Sequence, residues 1–326
     1  MTSHLHTRRL GRTGPEVSSP GLGAMGLSGA YGPTDDDEGV RVVHAYLDAG
    51  GTLLDTGDFY GSGHNEWLLR RALQDRREDV VLSVKFGALR GPDGTPDGID
   101  TRPAAMRNFL TYSLQRLGVD HVDVYRPARL DPSVPIEETV GAIAEMVEKG
   151  YVRHIGLSEV GADTLRRAAT VAPISDLQIE YSLLSRDIED AILPTCRELG
   201  IGITAYGVLS RGLIGGSGAL EGFRRFSPRF SDAHRAHNEA LVGQLAQMAD
   251  AKGCSVAQLA VGWVTAQGED IVPVVGARRV EQVRTLVEGV TLDADDLARI
   301  NEWIPRGSVS GDRYPAAHMA DLDSER

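Results

Sequence analysis

The sequence is poor in cysteine and in basic residues. Cys196 and Cys254 are the two cysteines among 326 residues, and they lack the Cys-x-x-Cys spacing of a redox or metal motif. We expect both to be reduced side chains in or near the core. Lys and Arg total 34 against 46 Asp and Glu, a formal net charge of −12. That charge argues against a nucleic-acid or anionic-membrane partner, which needs clustered cations, but permits a local basic site for one phosphate.

Long apolar runs are also missing. No segment approaches the ~20 apolar residues of a membrane helix, and residues 1–10 contain no apolar stretch of the kind that marks a signal peptide. We therefore expect a cytoplasmic protein. The chain does contain 41% hydrophobic and 25% charged residues, which is typical of a globular protein with a filled core.

Short segments rich in β-branched residues alternate with segments of helical period along most of the chain. About eight such units without a domain break predict one closed parallel (β/α)8 barrel over residues 1–326, with a polar tail from about residue 307. A doubly wound open sheet is the alternative. Strands are expected at 52–54, 80–84, 121–125, 152–157, 176–179, 201–205 and 271–275, with 23–25 as a further candidate. Helices are expected at 35–49, 102–117, 136–149, 165–171, 188–199, 240–251 and 280–288.

Three other segments have compositions that predict loops or turns. Residues 8–19 contain Gly-Arg-Thr-Gly-Pro and are interpreted as a β-hairpin that plugs the bottom of the barrel. Residues 87–100 and 210–232 are rich in glycine and too irregular for ordinary connections. Long loops of this kind often form lids or binding loops, and we expect both at the carboxyl-terminal face of the barrel.

Residues 21–26 match the dinucleotide-binding pattern Gly-x-Gly-x-x-Gly. The pattern indicates such a site only when a helix begins at its third glycine. Here Ser28 to Pro33 follow, a stretch that favours a loop, and no helix is expected before Asp35. We interpret the segment as a first barrel strand that runs into a loop.

Three ionisable residues follow two of the predicted strands. Asp55 and Lys85 each end a strand, and Tyr60 lies five residues after Asp55. Strand ends of this kind share one rim of a parallel barrel, so the three side chains are expected to converge. Carbonyl reduction by hydride leaves an alkoxide that a phenol can protonate, and a nearby ammonium lowers the phenol's pKa. This suggests Tyr60 as general acid, Lys85 as its modulator and Asp55 as the counter-charge of Lys85, with purely structural roles as the alternative.

Around these residues the sequence resembles the aldo-keto reductase family. Six motifs match in the right order between about Arg9 and Trp303, which makes a chance match very improbable. The matching segments are LDTGDFYG at 54–61, SVKFG at 83–87, DPSVPIEET at 131–139, VRHIGLSE at 152–159, LQIEYS at 177–182 and YGVLSRGL at 206–213.

The resemblance implies a reductase that binds NADPH or NADP+ without a Rossmann domain and acts on a small carbonyl substrate. It assigns the nicotinamide carboxamide to Ser158 and Gln178. It assigns the nicotinamide ring to Tyr206, with the backbone near Met25 close by. The implied contacts of the rest of the cofactor are Gly207, Leu209, Ser210, Arg211, Gly212 and Leu213 for the pyrophosphate, and Gly276, Arg278 and Gln282 for the 2′-phosphate and adenosine. Arg278 precedes a predicted helix start, where a guanidinium and backbone N–H groups can act on one phosphate, with a plain surface arginine as the alternative.

The sequence departs from the family where a histidine normally follows the fourth strand. Ala128 stands at that position, and a methyl group cannot orient a carbonyl oxygen. Several alternatives stay open: Tyr60 suffices alone for an activated substrate, Arg126 or Arg129 brings a donor, the vacated space admits a bulkier substrate, or the site reduces an imine or conjugated C=C bond. Slow turnover of ordinary aldehydes is expected, since one lost donor costs about two to three orders of magnitude. An NADPH-binding regulatory or interaction subunit with little turnover is the rival function.

A second departure is Leu286, where the family often has an asparagine at the adenine. His234 and His237 are three residues apart, but without a third ligand they do not predict a metal site. His64 follows Tyr60 at the same rim, where an exposed loop position is expected.

Overall fold

The strands and helices follow one another in an order that builds a closed barrel. The computed structural model describes residues 5–215 and 221–325. Its strands are β1 (His6–Arg9), β2 (Glu16–Ser19), β3 (Gly21–Gly23), β4 (Leu53–Gly57), β5 (Val81–Phe86), β6 (Ala88–Arg90), β7 (Pro96–Ile99), β8 (Val122–Pro127), β9 (Val152–Ser158), β10 (Ile174–Glu180), β11 (Gly202–Tyr206) and β12 (Ile271–Gly276). Eight of them pair in parallel in the closed order β3-β4-β5-β8-β9-β10-β11-β12. The predicted barrel is confirmed.

Helices surround this barrel. They are α1 (Asp36–Asp48), α2 (His64–Ala72), α3 (Pro103–Leu117), α4 (Ile136–Glu148), α5 (Ala162–Ala169), α6 (Ile192–Leu199), α7 (Asp232–Gly243), α8 (Leu245–Lys252), α9 (Val256–Ala266), α10 (Val280–Val287), α11 (Ala294–Trp303) and α12 (Ala316–Ala320). Within the described ranges, no helix has the length and apolar character needed to cross a membrane. Cys196 and Cys254 are unpaired, one buried and one half-buried, as expected.

The first barrel strand differs from its predicted position. It spans Gly21–Gly23 rather than 23–25, because the chain turns directly into a 3-10 helix at Ala24–Ser28. The expectation that no helix precedes Asp35 was therefore wrong for this short turn. The first α-helix nevertheless begins at Asp36, where the Asp35 side chain caps it by accepting from the Glu38 N–H at 2.7 Å. The Gly-x-Gly-x-x-Gly pattern here covers a barrel strand and the start of the 3-10 turn after it, and is not part of a Rossmann unit.

Some helices did not follow from the sequence pattern. The predicted helix 240–251 is two helices, α7 and α8, and the helix predicted from 188 begins at Ile192 after a 3-10 turn. The helices α2, α9, α11 and α12 were missed. In α9 the six consecutive residues from Leu259 to Val264 are all buried, so this helix shows no polar face and no amphipathic period.

The two irregular segments contain short elements. Residues 87–100 hold the antiparallel hairpin β6–β7, directly after the carboxyl end of β5. Residues 210–232 hold 3-10 helices at Ser210–Gly212, Gly222–Phe226 and Pro228–Phe230. Residues 216–220 of this segment lie outside the described residues.

The predicted hairpin at the bottom of the barrel is confirmed. Its side chains Leu10 and Val17 are buried in a cluster with Leu53, Val124 and Val272 from three barrel strands. Arg8 donates from Nη1 to the backbone oxygens of Gly268 at 2.7 Å and Ile271 at 2.6 Å. The plug therefore closes the end of the barrel opposite the strand ends that carry Asp55 and Lys85.

This packing predicts the effect of truncating Leu10, which has no exposed surface. Leu10→Ala should leave a cavity under the barrel and lower the free energy of unfolding by about 2–5 kcal/mol. Urea denaturation measures this. Arg9→Ala, in the same hairpin, is the control, because the Arg9 side chain is 58% exposed. Equal effects of the two substitutions would contradict the plug.

Candidate active site

An aspartate and a lysine from adjacent strands form a buried ion pair at the mouth of the barrel. Asp55 on β4 accepts through Oδ1 from Lys85 Nζ on β5 at 2.5 Å. Its Oδ2 accepts from Ser83 and Gln178, each at 2.8 Å. Burial by itself raises the pKa of Asp55, but Lys85 and Arg126 outweigh it and hold that pKa below its ordinary value. Burial lowers the pKa of Lys85, and Asp55 opposes that shift.

Tyr60 lies beside this pair, so the three predicted groups do converge. It begins a 3-10 turn after β4, in which Gly61, with φ +56°, and Gly63, with φ +95°, take left-handed backbone. Lys85 Nζ lies 5.0 Å from the centre of the Tyr60 ring. Within the described part of the chain, the Tyr60 hydroxyl has no hydrogen-bond partner and is available to a ligand.

The protonation of Tyr60 differs from the simple expectation. Burial and then the Asp55 charge raise the pKa of Tyr60 well above its ordinary value, and Arg129 opposes the rise. Lys85 is itself committed to Asp55, which weakens its action on the phenol. The phenol is therefore protonated near neutral pH, and the lowering of its pKa by Lys85 stays a prediction.

Arg129 occupies the space beside Ala128, the position of the missing histidine. Ala128 is buried at the end of β8. The Arg129 side chain folds back, donating from Nη1 to the Ala128 oxygen at 2.6 Å and from Nη2 to the Tyr314 hydroxyl at 3.4 Å. It forms no ion pair with a carboxylate of the described residues. A permanently charged donor group thus stands near Tyr60.

Arg126, the other arginine considered for this role, points into the barrel interior. It is completely buried and pairs with Asp176 on β10 at 2.9 Å. Its Nη1 lies 4.0 Å from Asp55, and its Nη1 and Nε have no hydrogen-bond partner among the described residues. A side chain at Gly156 would lie 2.8 Å from the Arg126 Nε, so only glycine leaves room there. Arg126 therefore supports the Asp55 carboxylate from behind and does not reach the mouth.

A cleft of about 640 Å³ is lined mainly by residues of α7, α9 and α10 and of the segment after β11. Five residues assigned to the cofactor by resemblance line it, together with Leu286 from the adenine position. These five are Leu209, Gly212, Leu213, Gly276 and Gln282. The structure thus gathers assigned residues from two separate segments, 209–213 and 276–282, into one groove of a size suited to a small ligand.

The residues assigned to the nicotinamide carboxamide and ring lie on the barrel strands β9, β10 and β11 and are not among those that line the cleft. Ser158 is buried, and its hydroxyl has no hydrogen-bond partner within the described residues. A buried polar atom of this kind is ordinarily paired, so Ser158 fits a polar ligand group such as a carboxamide. Gln178 uses its Nε2 for Asp55 and keeps its oxygen for another partner. Tyr206 ends β11, and its hydroxyl donates to Glu159 at 2.7 Å.

The remaining predicted contacts lie in the loops around the groove. Met25 is half-buried in the 3-10 turn after β3. Gly207 has φ +67°, and a side chain there would lie 2.9 Å from Glu180. Ser210 and Arg211 also have positive φ. The Arg211 side chain pairs with Glu180 at 2.9 Å, and Arg211 is not among the residues that line the groove.

The phosphate position assigned to Arg278 is built differently from the expectation. Arg278 donates to the backbone oxygens of Tyr31 at 3.0 Å and Pro33 at 2.6 Å, and its buried Nε has no partner in the described ranges. Glu38 from α1 accepts from the first N–H of α10, that of Val280, at 2.9 Å. A carboxylate therefore occupies the helix N-terminus that the sequence assigns to a phosphate.

Several residues of this region were not found from the sequence. They are Glu159, Asp176, Arg313 and Tyr314. The alternation of polar residues along 176–180 (Asp-x-Gln-x-Glu) was an available signal for inward-pointing side chains. His64 is not a free loop residue, because it bonds Ser28 at 2.9 Å and Asp36 at 3.0 Å. No group of three or more metal-binding side chains is found in 5–215 or 221–325.

The fold and the site together define a class: a single parallel barrel that holds a phenol beside a buried aspartate–lysine pair at its mouth. Comparison with known proteins identifies the family. The profile of the aldo/keto reductase family matches residues 21–305. This chain belongs to the aldo-keto reductase family and is an oxidoreductase of the type that uses nicotinamide cofactors.

Individual relatives agree with this assignment. The chain is 42% identical over 316 residues to a probable aldo-keto reductase 1 of Glycine max, covering 94% of this chain and 91% of the relative. It superposes on a glycerol dehydrogenase of Gluconobacter oxydans with a TM-score of 0.83 at 28% identity, covering 94% and 97% of the two chains. An aldo-keto reductase of Bacillus halodurans, in its holo form, gives 0.78 at 26% identity, covering 92% and 97%.

The site region contains one carboxyl group that should titrate near neutrality. Burial, and then the Glu66 carboxylate, raise the pKa of Asp58 to about 7. The folded chain then retains a proton that the unfolded chain releases near pH 4. As the pH rises from about 4 to 7, the free energy of unfolding of the parent should therefore fall, relative to that of Asp58→Asn, by up to about 1.4 kcal/mol per pH unit. Denaturant titrations across this range measure the difference, with Asp97→Asn, an exposed carboxyl, as control. A difference independent of pH would contradict the prediction.

Proposed function

We propose that this chain reduces the carbonyl group of a small aldehyde or ketone with NADPH, and that Tyr60 is the general acid. The observation that carries the proposal is the convergence of Tyr60, Lys85 and Asp55 next to the unpartnered Ser158 hydroxyl. Each of these groups alone has a structural explanation. Together, at the mouth of the barrel, they suit proton transfer to a bound ligand.

The groove supports a nicotinamide dinucleotide in one orientation. Ser158 and the Gln178 oxygen suit the carboxamide, and Tyr206 suits the ring, with Met25 close by. Further along, the groove-lining residues of 207–213 suit the pyrophosphate, and Gly276, Arg278 and Gln282 suit the adenosine half. A reduced nicotinamide bound in this way supplies the hydride.

The chain's own part is to hold the carbonyl and to deliver a proton. Negative charge develops on the carbonyl oxygen of the substrate as the carbonyl group is reduced. The Tyr60 hydroxyl has no internal partner among the described residues, so it can donate to that oxygen and transfer its proton. Lys85 and Arg129 then stabilise the phenolate that remains, and Asp55 keeps Lys85 charged. Because the pKa of Tyr60 is raised in the free protein, the proton is present at neutral pH.

Arg129 is the donor that we assign to the place of the histidine. Its guanidinium lies against the Ala128 backbone, near the phenol and without a carboxylate partner in the described part of the chain. A guanidinium can hydrogen-bond a carbonyl oxygen, but this one also bonds the Ala128 oxygen and Tyr314. The expected result is turnover of simple aldehydes below that of relatives with the histidine.

The first test is Tyr60→Phe, which removes the proton and keeps the ring. NADPH oxidation should fall at least about 100-fold, because general acid catalysis contributes that much or more. Cofactor affinity, measured by NADPH fluorescence, should stay within about twofold. The control is Tyr112→Phe, since Tyr112 is exposed on α3.

The substrate panel decides between the functions. It contains aldehydes, ketones, imines and enones. Unchanged activity in Tyr60→Phe would eliminate the proton-donor role. Consumption of NADPH with imines or enones alone favours reduction of C=N or C=C bonds. A parent protein that binds NADPH but consumes none with any substrate favours the regulatory function.

Glu38 and Arg278 provide a separate test of the choice between NADPH and NADH. The 2′-phosphate has to displace the Glu38 carboxylate from the α10 N-terminus, whereas Arg278 favours the phosphate. Glu38→Gln should strengthen NADPH binding about two- to fivefold. Arg278→Met should weaken it about tenfold or more, with a much smaller effect on NADH. Binding constants for both cofactors measure the ratio, with Arg284→Met, an exposed residue on α10, as control. An unchanged ratio in both variants would refute NADP preference at this position.

A further inference from the structure

The C-terminal segment crosses the mouth of the barrel and joins the residues assigned to the nicotinamide. Glu159 follows Ser158 directly, is completely buried and has φ +53°, a conformation that non-glycine residues rarely adopt. Arg313, from the segment after α11, donates to both of its oxygens, at 3.0 and 2.7 Å. This is a bidentate, charge-assisted pair between positions 154 residues apart.

The same carboxylate also holds the aromatic ring of the site. Tyr206 donates to Glu159 at 2.7 Å, and its oxygen lies 2.8 Å from the Tyr314 hydroxyl. The backbone N–H of Glu180 donates to Glu159 at 3.0 Å. One buried group therefore connects the strand ends of β9, β10 and β11 with the C-terminal segment.

Further contacts fix the segment itself. Ser324 donates to Glu159 at 2.7 Å, and Asp323 accepts from the Gly161 N–H at 2.8 Å. Burial alone would raise the pKa of Glu159, but Arg313 and its hydrogen bonds outweigh that and hold the pKa well below its ordinary range. Glu159 is thus an ion whose charge Arg313 balances, and a left-handed residue of this kind persists only when its surroundings hold it.

We propose that Arg313 is a positioning residue for the nicotinamide end of the cofactor site, acting through Glu159 on Ser158 and Tyr206. The inference rests on the proposed function, since it assumes that a nicotinamide binds there. It makes the C-terminal segment part of the cofactor site in this chain, although no residue of that segment lines the groove described above.

Arg313→Met tests the proposal, with Arg306→Met as the matched control. Arg306 lies in the same part of the chain and pairs with Asp190 at the surface. Arg313→Met should weaken NADPH binding, followed by NADPH fluorescence, at least about tenfold, because a buried carboxylate loses its counter-ion and Ser158 and Tyr206 lose their support. Arg306→Met should bind like the parent. Arg313→Lys keeps the charge but loses the planar guanidinium that donates two parallel hydrogen bonds. Its affinity for NADPH should therefore lie between that of the parent and that of Arg313→Met.

The outcomes separate the two ideas. If the parent itself binds neither NADPH nor NADH, the proposed function fails and this inference with it. If the parent binds and folded Arg313→Met, checked by circular dichroism, binds equally well, the function stands and the inference is wrong. If Arg313→Met does not fold, Arg313→Lys decides: affinity equal to the parent overturns the inference, and weakened affinity with an unchanged melting temperature supports it.

Discussion

The Asp55 carboxylate is the group on which the site depends. A buried charge is tolerated only when it is paired and hydrogen-bonded. Asp55 meets that condition through Lys85, Ser83 and Gln178, with Arg126 behind it. These partners come from different strands, so satisfying one carboxylate aligns the strand ends that form the mouth. Loss of one of these charged partners would leave an uncompensated charge inside the barrel.

Buried ion pairs make up much of the polar layer of the barrel interior. The pair of Lys85 and Asp55 lies next to the pair of Arg126 and Asp176, and each pair carries one charge of each sign. Closer to the mouth, Glu159 and Arg313 form a third pair. The hydrophobic plug closes the opposite end. Apolar packing thus supplies stability at the bottom, while ion pairs supply orientation at the top, where a ligand requires polar partners.

The absent histidine changes the mouth without disturbing this balance. Ala128 removes a neutral donor, and the Arg129 guanidinium, a permanent cation, lies against the Ala128 backbone oxygen. The substitution therefore affects how a carbonyl oxygen is held more than how Tyr60 is supported. At the N-terminus of α10, Glu38 from α1 introduces a carboxylate where the family resemblance implies a phosphate. Both departures concern ligand contacts, whereas the strands that hold the phenol and ammonium match the family pattern.

The amino-acid sequence by itself determined the barrel, the plug and the meeting of Asp55, Tyr60 and Lys85. Alternating segments and residues at strand ends carry that information locally, because parallel strand ends share one rim. Only the tertiary structure decided that Arg126 points inward, that Glu38 reaches α10 and that Arg313 binds Glu159. Those contacts join residues far apart in the chain, and the direction of a long side chain depends on which neighbours offer it a charge or leave it space.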